Sequence, residues 1–118
     1  MPPPKDFTLE IPIFARLYDF YKNLSQTLVI FPKSKRYTLG QKLDNLTLEI
    51  FETVIRAGYL PKNLKSPFIE KAIAQLSLLK ILLRLSYETK NVDFKKYLKL
   101  QESLQEIGRM LGGWKKSL

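Results

Sequence analysis

Four stretches of the chain carry apolar residues every three or four positions, the repeat of an amphipathic helix. The first begins at Pro12, a residue suited to the first helical position. Its stripe is Ile13, Leu17, Phe20, Leu24 and Leu28, with Phe14, Tyr18 and Tyr21 alongside. It predicts a helix over 12–30 that ends near Phe31-Pro32, because the residue before a proline disfavours the helical region. The second stripe, Leu39, Leu43, Leu46, Ile50, Val54 and Ala57, predicts a helix over 34–57 closed by Gly58. Leu48, Phe51 and Ile55 form a narrower second face on it. Ser66 as cap and Pro67 as first residue mark a third helix, 66–89. Asp93 caps a fourth, 93–111, whose heptad runs Phe94, Tyr97, Leu100, Leu104, Ile107, Leu111 and Trp114. Gly112-Gly113 is expected to stop it, leaving Trp114 to fold back or to pack on a neighbour. Residues 1–11 read as an extended, proline-rich lead.

No segment alternates with period two over strand length, and there is no solenoid repeat. Four helices with mostly short connections in 118 residues define one all-α domain, an antiparallel up-down-up-down four-helix bundle. The third helix adds a further expectation. Its middle, Leu76 to Leu85, is apolar nearly all round, and such a helix must be covered on every side. A monomeric bundle leaves each helix one wet face, so contacts beyond the monomer are expected. Lys80 and Arg84 interrupt this stretch one turn apart, either reaching out to solvent or lining a narrow polar channel.

Charge changes the picture more than composition does. A formal net charge of +9 favours polyanionic partners: RNA, DNA or an acidic protein surface. Lys33, Lys35, Arg36 and Lys42 stand at the start of the second helix with no acid among them. Cations there face the positive end of the helix dipole, at a cost of a few tenths to about 1 kcal/mol each. Keeping them points to an anion; a solvated basic turn is the alternative. The alternating topology places this run at the same end as Lys90, Lys95, Lys96 and Lys99, which have only Asp93 among them. Helix N-termini and lysines together suit phosphate oxygens. Tyr37 and Tyr97 lie near enough to stack on bases, although Tyr97 sits on the heptad stripe, where core packing is the ordinary role.

Several chemistries are excluded. With no Cys and no His there is no disulfide, no thiolate or imidazole metal site, no Cys nucleophile and no His base. Glu49 and Glu52 share a face, but a di-metal bundle needs Glu-x-x-His pairs. Neither a phosphate-binding loop nor a nucleophile elbow is present. The chain reads as a non-enzyme without cofactor or metal. The Met1–Asp6 run lacks the apolar centre of a signal peptide, and no segment is apolar enough to span a bilayer, so a cytoplasmic protein without membrane contact is expected.

Two motifs carry a family resemblance. The run Phe31-Pro32-Lys33-Ser34 through Arg36-Tyr37-Thr38-Leu39-Gly40 resembles the junction between the first two helices of small bacterial four-helix-bundle proteins. These include the rRNA intervening-sequence proteins and the accessory variability determinant (Avd) proteins of diversity-generating retroelements. The tail Ile107-Gly108-Arg109-Met110-Leu111-Gly112-Gly113-Trp114 is closer to the Avd branch. That resemblance implies a barrel-shaped homopentamer of basic character. It also implies association with the retroelement's reverse transcriptase and its RNA, in support of mutagenic copying of a template repeat into a variable gene. By the same resemblance Lys80 and Arg84 are candidates for a basic inner surface. Two functions are therefore open: a nucleic-acid-binding accessory subunit, or a structural module of the intervening-sequence type whose cations dock an acidic protein.

Overall fold

In the computed structural model, which describes residues 12–118, four long helices account for most of the chain. They are α1 (Pro12–Val29), α3 (Gln41–Tyr59), α4 (Lys62–Glu88) and α5 (Phe94–Lys116). A single turn, α2 (Lys33–Lys35), and a π turn, Arg36–Gly40, join α1 to α3. The expected lead over 1–11 lies outside the described residues. Each long helix packs on two neighbours, in the order α1, α3, α4, α5 and back to α1. Cross-links fix their directions. Tyr21 at the C-terminal half of α1 donates to Asp44 near the start of α3 (2.7 Å). Gln101 near the start of α5 donates to the carbonyl of Lys80 in the second half of α4 (3.0 Å). Neighbours thus run antiparallel, and the molecule is an up-and-down four-helix bundle.

The core consists of the predicted stripes. Ile13, Leu17, Phe20 and Leu24 of α1 are buried, as are Leu43, Leu46, Ile50, Val54 and Ala57 of α3 and Leu100, Leu104, Ile107 and Leu111 of α5. α4 contributes Ile69, Ala72, Leu76, Leu79 and Leu83. Phe31 and Val92, from the loops at one end, close the core from above. Thr47 and Ser86 are buried among these side chains, and each hydroxyl donates to the carbonyl one turn earlier, at Leu43 (2.7 Å) and Leu82 (2.8 Å). Neither polar group is therefore left without a partner.

Several boundaries differ from the sequence expectation. The second helix covers the expected 34–57 but contains a π turn ahead of α3, which shifts the register of everything before Gln41. Leu39 is consequently half-buried, while Gly40 is buried. A Cβ on Gly40 would lie 3.4 Å from both Leu28 Cδ2 and the Lys35 carbonyl, so the turn is seated closely against α1. Gly58 does not end α3, which continues to Tyr59. α4 begins at Lys62 rather than after Ser66, with Pro67 inside it. The early turn is held by Lys65, whose ammonium donates to the carbonyls of Ala57 (2.7 Å) and Gly58 (3.1 Å) at the end of α3. It also lies 5.7 Å from the centroid of the Trp114 ring. α5 passes straight through Gly112-Gly113, and Trp114 packs on the core from within the helix.

α4 carries a second stripe that no described residue covers. Ala74, Leu78, Ile81 and Leu85 recur at helical spacing and all face solvent, Ile81 at 63% exposure.

Candidate functional site

The end of the bundle that holds the C-termini of α1 and α4 also holds the starts of α3 and α5. α1 stops before Phe31-Pro32, with Ile30 N–H bonded to the Thr27 carbonyl and Phe31 N–H to that of Leu28, both at 3.2 Å. No basic residue lies in the last turn of α1. Arg36 supplies that charge from outside the helix. Its guanidinium donates to the carbonyls of Val29 (2.7 Å) and Phe31 (3.3 Å), a capping contact at the negative end of the helix dipole. Arg36 is therefore part of the scaffold that holds the π turn on α1. Lys33 and Lys35 of α2 and Lys42 of α3 are exposed around it.

On the other side of α1 the start of α5 comes close. Lys96 and Lys99 share a cleft with Asn23, Gln26, Thr27 and Ile30 of α1. The structure thus brings both basic segments to the end of α1, one on each flank. Asp93 caps α5: its carboxylate accepts from the Lys96 backbone N–H (2.8 Å) and from the Lys96 ammonium (3.0 Å). The backbone hydrogen bond is the main reason its pKa lies below the ordinary carboxylate value, with the Lys96 side chain acting in the same sense.

α4 ends in a Schellman motif. Asn91 N–H reaches the Ser86 carbonyl (2.9 Å) and Lys90 N–H that of Tyr87 (3.0 Å). The left-handed position of that motif, normally glycine, is taken by Lys90 with φ 65°. A side chain held there costs about 1 kcal/mol relative to glycine.

All three acids of this end are engaged. Asp44 accepts from the Tyr21 hydroxyl, and that hydrogen bond, before burial and the Asp44 charge, raises the Tyr21 pKa. Glu88 accepts from Arg84 Nε (2.7 Å), and Asp93 is held by Lys96. Among the described residues, Lys33, Lys35, Lys42, Lys90, Lys95 and Lys99 have no ion-pair partner. Six cations without counter-charges thus ring one end of the bundle. Two of the named residues have other engagements: Arg36 caps α1 and Lys96 pairs with Asp93.

Lys80 and Arg84 separate in role. Lys80 is half-buried in the groove between α4 and α5, beside Ile73, Leu76, Gln105, Gly108 and Arg109. Its ammonium sits 3.4 Å from where a Cβ on Gly108 would be. Arg84 is exposed and bound to Glu88, which raises its already high pKa through that hydrogen bond first.

Of the aromatic residues on the heptad at this end, Tyr97 packs against the core as the stripe placed it and Phe94 does not. Tyr37 is 65% exposed on the π turn. Tyr97 is half-buried and stacks on Tyr87 (ring centroids 4.7 Å apart, planes 14° from parallel). Phe94, assigned by its spacing to the core, is 55% exposed. It leans on Tyr87 (5.6 Å) and Tyr97 (6.4 Å). The spacing itself contains the signal. At 3.6 residues per turn, six residues from Leu100 rotate Phe94 about 120° off the buried stripe.

No group of acids capable of holding a metal occurs among the described residues. No described helix is long and apolar enough to cross a membrane. The molecule is thus a basic four-helix bundle that carries six of its unpaired cations at one end. A profile of the bAvd-like family matches residues 13–118, and the chain belongs to that family, which is one of accessory proteins. Comparison with curated proteins gives no match.

Proposed function

We propose that this protein is a nucleic-acid-binding accessory subunit of a retroelement. It associates with the element's reverse transcriptase and template RNA and, without catalysis of its own, supports mutagenic retrohoming that diversifies a target gene. Family membership across 13–118 supports the accessory role. The observation that carries the binding role is the ring of six cations with no ion-pair partner among the described residues, at an end where every acid is already engaged.

On this reading Lys33, Lys35 and Lys42 approach phosphates from one flank of α1, and Lys90, Lys95, Lys96 and Lys99 from the other. Arg36 acts mainly by shaping the flank it caps. Lysine contacts to phosphate position a strand without reading its sequence, so RNA and DNA both bind with little preference. The working unit is a homo-oligomer, a barrel-shaped pentamer by analogy with the family. The solvent-facing stripe Ala74, Leu78, Ile81 and Leu85 supports this, since such a stripe is suited to burial against another copy. In that assembly Lys80 and Arg84 belong to a basic inner surface.

Affinity for single-stranded RNA, measured across a range of salt concentrations, tests the binding role. Each lost phosphate contact lowers the slope of log affinity against log salt by about 0.7 for a single strand. Changing Lys33, Lys35 and Lys42 together to Gln is expected to lower it by about 2. A slope identical to that of the unmodified protein would place the contact elsewhere.

A further inference from the structure

The basic end carries an aromatic feature that phosphate binding does not explain. Tyr87 and Tyr97 stack face to face between α4 and α5, and Phe94 rests against both at interplanar angles of 57° and 43°. As the first residue of α5, immediately after the Asp93 cap, Phe94 is fixed by the helix start and by two rings, yet more than half its surface faces solvent. An exposed phenyl group costs solvation and contributes little to the core. Its surroundings are cationic. Lys95 follows it directly, and Lys90 stands in the loop before it, held in a left-handed conformation that glycine would adopt with less strain. The nearby acids are neutralised: Glu88 is bound by Arg84 and Asp93 by Lys96. A rigid ring flanked by free cations, with no free carboxylate beside it, matches a nucleobase with its phosphates better than it matches an apolar protein surface.

We propose that Phe94, supported by the Tyr87–Tyr97 stack and flanked by Lys90 and Lys95, is a base-stacking subsite that takes an unpaired nucleobase. This rests on the nucleic-acid reading above and narrows it, because the protein then prefers single strands. In a duplex the base faces are already stacked on one another, and only the phosphates remain accessible to the lysine ring. A single strand offers both.

The test compares a single-stranded RNA with a duplex long enough for its ends to be negligible, at one salt concentration. The proteins are the full chain and its Phe94→Ala, Phe94→Leu and Phe94→Tyr variants. Loss of one stacked base corresponds to a weakening of roughly 5- to 150-fold. Phe94→Ala and Phe94→Leu are expected to weaken single-strand binding by that factor and leave duplex binding unchanged, while Phe94→Tyr retains both. Leu keeps the apolar bulk without the ring face, so it decides the matter should Ala disturb folding, as read by circular dichroism.

Single-strand affinity unchanged in Phe94→Leu would overturn the subsite while leaving the lysine ring in place. So would a change of assembly mass by light scattering without a change in affinity, which would make Phe94 an interface residue. An unmodified protein that binds neither nucleic acid would overturn this inference and the parent reading together.

Discussion

Lys90 shows how one residue can set stability against function. Its backbone completes the Schellman motif that ends α4, and φ 65° is a conformation suited to glycine. Lys90→Gly should therefore raise the unfolding free energy by about 1 kcal/mol, read from denaturant or thermal unfolding. The same change removes a free cation and should weaken RNA binding. A stabilised variant with undiminished affinity would show that the lysine has no part in binding. Arg36 makes the opposite point. It looks like one more cation in a basic run, yet its guanidinium caps α1 at Val29 and Phe31. The run itself gave no sign of this role, because the acceptors are backbone carbonyls exposed only when α1 stops. Lys65 does for α3 what Arg36 does for α1, and it too was unremarkable in sequence.

At the level of helices, the apolar stripes were legible and the terminators were not. Every stripe residue from Leu43 to Ala57 and from Leu100 to Leu111 is buried, since a period near 3.6 directly fixes which face turns inward. Glycine and proline signals are weaker because tertiary contacts override them. Gly58, Gly112 and Gly113 all lie within helices, and no described glycine adopts positive φ. Leu111 and Trp114 pack on the core from either side of the Gly112-Gly113 pair, which carries α5 through it. Ser66-Pro67 loses its role as a start because Lys65 anchors the preceding turn to the end of α3. One consequence can be tested. Nothing lies within 4 Å of a Cβ built on exposed Gly113. Gly113→Ala should therefore stabilise the protein by about 0.5–1 kcal/mol, seen as a higher thermal midpoint. A lower midpoint would mean that this turn needs glycine for some contact outside the single chain.

For the molecule as a whole, alternating helix direction is what gathers the charge. Residues 33–42 and 90–99 are far apart in sequence, but both border the end of α1, through the Arg36 cap on one flank and the Lys96–Lys99 cleft on the other. That convergence could be anticipated from topology alone. The pairing of Arg84 with Glu88 needed side-chain positions, whereas the place of Phe94 off the buried stripe was already in its spacing. The opposite end is also basic in composition, but its cations are partly engaged: Lys115 pairs with Glu70, and Lys65 caps α3. The central claim is that a strand docks across the end of α1 and touches both flanks. Photo-cross-linking of a short single-stranded RNA to the full chain, with the modified peptides mapped by mass spectrometry, tests it most directly. Adducts are predicted in both the 33–42 and the 87–99 segments. Adducts confined to the other pole, around Lys62, Lys71, Lys115 and Lys116, would contradict it.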